Sequence, residues 1–154
     1  MAQDTDVLWG LYLEHCNQCR HHESMRATVT NVFLTITAGV TGVVALDSKV
    51  NASDLPLTLF IVLLGAFGAF IAAKHYERVQ MHTERARAYR DALEVLLPTT
   101  QIKALKQKAD VKHNDEWPRL HKLRLFWLWI GIQIGIAVFG AVLSIVAVWL
   151  PMAK

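Results

Sequence analysis

The sequence predicts an all-α polytopic membrane protein with three transmembrane helices and a small helical cytoplasmic layer. Two observations carry this. Three apolar runs, Ala27 to Leu46, Leu55 to Ala73 and Leu125 to Leu150, contain no Asp, Glu, Lys, Arg or His. Each approaches or exceeds the roughly 20 residues a helix needs to cross a hydrocarbon core of about 30 Å. The runs are also apolar all round, whereas helices of a soluble bundle keep a polar face. Their few polar groups, among them Thr28, Thr30, Asn31, Thr35, Thr37, Thr41, Thr58, Gln133 and Ser144, can bond to a helix carbonyl or a neighbouring helix.

Taken in order, residues 1–26 form a cytoplasmic or interfacial helix. Asp4 or Thr5 can cap its start, Gly10 is its one weak breaker, and Val7, Leu8, Leu11 and Tyr12 make an apolar stripe ahead of the polar stretch Glu14 to Glu23. It leads into the first span, 27–46. Residues 47–54 are an external loop with turn chemistry, and Pro56 suits the first turn of the second helix. Asn51-Ala52-Ser53 matches a glycosylation triplet and is read as a chance occurrence. Beyond Ala73, the end of the second span (55–73), no Gly or Pro intervenes until Pro98, so the helix is expected to continue about 35 Å past the membrane at the standard rise. Pro98-Thr99-Thr100 breaks it. Thr99 or Thr100 then caps a short basic helix ending near Lys112, Asn114 to Pro118 is a second break, and Arg119 to Arg124 leads into the third span, 125–150. The 154 residues make a single membrane domain, with no room for a separate catalytic domain.

Charge sets the orientation. Segment 74–124 carries Lys74, Arg78, Arg85, Arg87, Arg90, Lys103, Lys106, Lys108, Lys112, Arg119, Lys122 and Arg124, against Glu77, Glu84, Asp91, Glu94, Asp110, Asp115 and Glu116; the loop between the first two spans offers only Lys49. Excess Lys and Arg mark the cytoplasmic side, which places the amino terminus inside and the carboxyl terminus outside. Tyr76, Trp127 and Trp129 suit the inner boundary and Trp149 the outer one. The first run begins too far along for a removable leader, and no lipidation motif is expected at either end.

Three constellations are candidates for function. Gly65 and Gly68 in the second span, and Gly131-xxx-Gly135 in the third, have the small-residue spacing that lets helices approach closely in lipid, and they are read as oligomer packing positions. His15, Cys19 and His22 share a helical face, with Cys16 and His21 nearby. Thiolates and imidazoles suit zinc, but one straight helix directs four ligands to a point with difficulty, so polar contacts are the competing reading. A redox role for Cys16 and Cys19 lacks a surrounding βαβ unit. Third, His75, Arg78, His82, Arg85 and Tyr89 run along one stripe, with Glu77, Glu84 and Asp91 on an adjacent one. This stripe is read either as a solvated face or as a network at the cytoplasmic boundary, in which Glu14, His15, His22 and Glu23 meet His75, Glu77, Arg78, His82 and Arg85. An anion site on the Arg and His residues is a sharper variant, without a glycine-rich cradle to support it.

Enzyme chemistry has no foothold: GxSxG, HExxH and P-loop patterns are absent, and His82 follows Arg78 too closely for a nuclease-type pair. No cofactor and no nucleic-acid partner is expected. Spans without ionisable residues disfavour a proton-coupled monomer. Thr30, Thr37, Thr41 or Gln133 can line a pore between protomers, or equally bond one helix to another.

The stretch LWGLYLEHCNQCRHHESMR, the closely spaced span pair with GAFGAF, and KHYERVQMHTERARAYR resemble the RipA-family octameric membrane proteins, over about Leu8 to Arg90. More distantly, the order of pre-span helix, span pair and following helix is similar to the SLATT membrane modules of bacterial conflict systems. The first resemblance implies a bacterial inner-membrane protein assembled as a homo-octamer; the second implies pore formation. The functional expectation is a homo-oligomeric inner-membrane assembly, a pore or a scaffold for a cytoplasmic protein partner, in contact with itself and with lipid. The alternative is a sensor of metal or an anionic ligand at the His, Cys and Arg clusters.

Overall fold

The computed structural model describes residues 2–46 and 49–152. Asp47 and Ser48, which open the expected external loop, and the last two residues lie outside them. There are four α-helices: α1 (Ala2–Val44), α2 (Leu55–Leu96), α3 (Ile102–Glu116) and α4 (Leu125–Met152). No strand occurs among the described residues. Helices α1, α2 and α4 are long and apolar enough to cross a membrane.

Helix α1 runs unbroken through the change from polar to apolar composition near Ala27. It starts ahead of the expected caps, leaving Asp4 in the first turn, where a carboxylate opposes the helix dipole favourably. It ends at Val44, two residues short of the expected boundary, with the Ala45 N–H closing onto the Thr41 carbonyl. The Asn51-Ala52-Ser53 triplet has a local structural role. Asn51 caps the 3-10 turn Ala52–Asp54 by accepting from the Ser53 N–H, while the Asp54 carboxylate accepts from the Asn51 N–H at 2.9 Å, a reciprocal capping box.

As expected, α2 continues past Ala73 and stops just before Pro98. Beyond it two expectations fail. Neither Thr99 nor Thr100 caps α3: Thr100 Oγ1 donates back to the Leu97 carbonyl, and the N-cap is Gln101, in the left-handed region at φ 48° with no side-chain cap of its own. The cap comes instead from α2, whose Glu94 carboxylate accepts the Lys103 N–H at 3.1 Å while Lys103 Nζ lies near Asp91 and Glu94. Helix α3 also outlasts Lys112 and reaches Glu116. The i,i+4 ion pair Lys112–Glu116 favours that last turn, and Pro118 rather than Asn114 ends it.

The chain divides into two compact units, Met1–Glu23 with Tyr76–Leu125, and Ser24–His75 with Phe126–Lys154. The second unit holds the three apolar segments. Its interior contains Thr30, Thr37 and Val44 of α1; Thr58, Ile61, Gly65, Gly68 and Ala72 of α2; and Gln133, Ile136, Gly140 and Ala147 of α4. Most recur every seven residues, the period of a left-handed helix seam. The large apolar side chains Leu59, Phe60, Leu63, Phe67, Phe70, Leu128, Val138 and Ile145 face outward.

Glycine brings these helices together. A Cβ on Gly65 would meet the Gln133 carbonyl oxygen at 2.7 Å and Ala137 Cα at 2.8 Å. At Gly68 it would meet Gln133 Cδ at 2.7 Å and Phe33 Cδ2 at 2.8 Å, and at Gly140 the Val62 nitrogen at 2.7 Å. Two side-chain bonds cross the same interior. Gln133 Nε2 donates to Thr30 Oγ1 at 3.1 Å. Ser144 Oγ lies 2.9 Å from Thr58 Oγ1, whose own proton goes to the Leu55 carbonyl. At one end Arg26, buried, lies 5.2 Å over the Trp129 ring, a cation–π contact of the kind strengthened by desolvation.

Candidate functional site

The first unit carries the chemistry. In α2 the heptad positions Val79, Ala86 and Leu93 are buried, and helix α1 packs its Tyr12, His15, Cys16, Cys19 and His22 along this seam. Because the seam residues are small or medium-sized, the two helices approach closely enough for polar side chains to meet over them.

Three imidazoles and a phenol form one stack. His15 Nδ1 lies 2.8 Å from His82 Nδ1. The His15 ring stacks on Tyr89, centroids 5.5 Å apart and planes 3° from parallel, while His22 stacks on the other imidazole, His82, at 5.5 Å. A nitrogen–nitrogen hydrogen bond needs one protonated and one bare nitrogen, so the pair cannot hold protons on both facing atoms. The environment favours the neutral form of His82. Burial first, then the positive fields of His15, His22, Arg85 and Arg78, push its pKa below the ordinary histidine value.

Beside the stack is a cavity of about 350 Å³ lined by Tyr12, Cys16, Cys19, Arg20, Thr83, Ala86, Arg87 and Arg90. Both cysteines are free thiols. The Cys19 thiol donates to the Val79 carbonyl at 3.6 Å and touches Thr83 Oγ1 at 3.5 Å. The Cys16 side chain beside the Tyr12 hydroxyl, with burial second, holds that phenol above its usual range. Arg90 is pinned by Asp91, whose Oδ1 accepts from Nε at 3.1 Å and Nη2 at 2.8 Å. The guanidinium in turn holds the Asp91 carboxyl below the usual carboxylate range, with Lys103 adding to the effect. Arg87 pairs with Glu84 at 2.7 Å, and Arg20 donates to Asn17 Oδ1 at 3.2 Å.

The predicted residues are placed unevenly. His15, His22 and His82 meet. Glu14 accepts from Gln18 one turn on, and Arg78 lies against its neighbour Glu77 and the Met81 sulfur, so these contacts are local to their helices. Arg85 and Glu23 are exposed and His75 belongs to the other unit. For the proposed metal trio, His15 and His22 turn to His82 while Cys19 turns to Val79 and Thr83. Among the described residues no group of three His, Cys, Asp or Glu side chains is disposed to hold a metal. Gly65 and Gly68 are used within the chain, whereas a Cβ on Gly131 or Gly135 would meet nothing within 4 Å. Sequence reasoning missed the Arg20, Arg87, Arg90 cavity. Its signal was the seven-residue recurrence of Val79, Ala86 and Leu93, which fixes the buried face of α2 and hence where Arg87 and Arg90 emerge.

No family model, no curated protein and no solved structure matches the chain.

Proposed function

We propose that the protein is a three-span inner-membrane protein that works as a homo-oligomeric assembly, either a pore or a scaffold for a cytoplasmic partner. The observation that carries the reading is the inverted distribution of the second unit. Its interior is built mostly from Thr, Gly, Ala and Gln, with Val44, Ile61 and Ile136 among them, while most of its Leu, Phe, Val and Ile side chains cover the outside. In water that arrangement would leave the apolar surface unburied at about 25 cal/mol per Å²; in lipid, small and hydroxylated residues belong inside, where packing and hydrogen bonds associate helices. The same unit leaves Gly39 and Gly42 of α1, and Gly131 and Gly135 of α4, with open space at the Cβ position, so two helix faces remain on which a second copy can approach closely.

Charge asymmetry supports an inside amino terminus and basic segment with an outside carboxyl terminus. The resemblance to octameric membrane proteins suggests eight copies. The test is the mass of the purified protein by light scattering with the detergent contribution subtracted. A discrete assembly near eight chains is the expected result. A monomer in several detergents and in nanodiscs would overturn the oligomeric reading.

A further inference from the structure

We propose that the cavity between α1 and α2 in the first unit binds a phosphomonoester, gripped by Arg20 from one helix and by Arg87 and Arg90 from the other. Three arginines line one concavity whose lining contains no carboxylate. Each carries five N–H donors in a planar fork. The contacts to Asn17, Glu84 and Asp91 engage one donor of Arg20, one of Arg87 and two of Arg90, which orients the guanidiniums and leaves donors for an oxyanion. Such forks match phosphate oxygens in a way a lysine point charge does not. Glu84 and Asp91 offset part of the charge from behind, and Asp91 is shared with Lys103, so positive field remains on the cavity side.

Arg90 is the anchor. Its side chain is only 20% exposed, and the double contact to Asp91 fixes its plane. Arg87 lies three residues earlier on the same helix face, and Arg20 closes from α1. Tyr12, Thr83 and the two thiols complete the wall; the Thr83 hydroxyl donates to the Val79 carbonyl at 2.8 Å, so the arginines supply the donors for the anion. At about 350 Å³ the cavity falls at the small end of ligand sites, roughly 300–1,000 Å³, which suits a phosphate with a modest substituent. A soluble phosphate ester and the headgroup of phosphatidic acid share that chemistry.

The cysteines supply the assay. Cys16 and Cys19 line the cavity and are the chain's only two cysteines, so the intact mass after iodoacetamide treatment reports this site alone. The full-length protein is placed in phosphatidylcholine nanodiscs and alkylated with and without adenosine monophosphate, then in nanodiscs doped with phosphatidic acid. A ligand at ten times its Kd fills the site about nine-tenths of the time and slows alkylation about tenfold. Slowing by adenosine monophosphate identifies a soluble ester, and slowing by phosphatidic acid alone identifies the lipid. Either must be lost in Arg20→Gln/Arg87→Gln, whose side chains are exposed and whose Tm is expected to stay at the wild-type value. No slowing by either probe, equal slowing in the double variant, or the same slowing by sodium chloride at matched ionic strength would overturn the proposal. None of these results depends on the copy number of the assembly.

Discussion

The Nδ1 atoms of His15 and His82 lie 2.8 Å apart, a contact that survives only while one of the two nitrogens is unprotonated. His82 is held below the ordinary histidine value, first by burial and then by His15, His22, Arg85 and Arg78. A histidine with a depressed folded pKa takes up a proton in the unfolded chain before it does in the folded one. Its stabilising contribution is therefore complete above the unfolded value and is lost as pH falls below it. The protein is expected to melt at lower temperature as pH drops from about 7 through 6, and His82→Asn is expected to flatten that dependence. Thermal unfolding in one detergent between pH 5 and 8 measures both. Identical slopes for wild type and variant would remove His82 as the cause.

The glycines of the apolar segments divide into two groups with opposite expected behaviour. Gly65→Ala would force a Cβ against the backbone of Gln133 and Ala137, where no side chain can swing aside, and is expected to cost about 1–3 kcal/mol. Gly131→Ala and Gly135→Ala meet open space and gain helix propensity, up to about 1 kcal/mol each. They are therefore expected to leave the folded protomer intact while weakening the proposed assembly. Tm and light-scattering mass separate the two: Gly65→Ala lowers the first, and Gly131→Ala combined with Gly135→Ala lowers the second. A large Tm loss from the latter pair would show that those positions are packed within the chain.

What could be read from the sequence follows the strength of the physical signal. The helices α1, α2 and α4 were legible because long apolar runs without charge leave few alternatives, and the stop at Pro98 because proline has no N–H to give. The cap of α3 was not, because Glu94 reaches it from another helix and no local pattern announces such a bond. In the apolar segments hydrophobicity carries no directional information. The buried face is written instead in the weaker period of Thr58, Gly65 and Ala72. The histidine stack was half legible: the spacing of His15 and His22 puts them on one face, but only the seam at Val79 and Ala86 brings His82 to both of them.

Gln101 holds a left-handed backbone at φ 48°, a conformation that disfavours a Cβ by roughly 1–2 kcal/mol. It does so where α2 must turn directly into α3, and the Glu94 bond to Lys103 N–H holds the turn in place. Gln101→Gly is expected to raise stability by up to about 1 kcal/mol, because glycine adopts this region freely, whereas Glu94→Ala leaves the α3 amino terminus without its acceptor and is expected to cost about 1 kcal/mol. Hydrogen exchange of the Lys103 amide reads the second effect directly, since protection there depends on that carboxylate. Unchanged protection in Glu94→Ala would mean that another group serves the cap.

Gln133 is buried at 1% exposure, donates to Thr30, and fills the space above Gly68. Interhelical bonds of this type contribute about 0.6 kcal/mol in lipid, less than the packing of the side chain itself. Gln133→Met keeps most of the volume and also removes the amide oxygen, a buried acceptor without a protein partner in this structure, so its expected cost is under about 1 kcal/mol. Gln133→Ala opens a cavity and is expected to cost about 2 kcal/mol or more. That cavity is also the room a side chain at position 68 lacks. Gly68→Ala alone meets Gln133 and Phe33 and is destabilising, but combined with Gln133→Ala its larger clash is gone. The double variant is therefore expected to be more stable than the sum of the singles predicts, by about 1 kcal/mol, as residues in direct contact couple. Unfolding the four members of this cycle in one detergent measures the coupling. Additivity would mean that Phe33, rather than Gln133, sets the limit at Gly68.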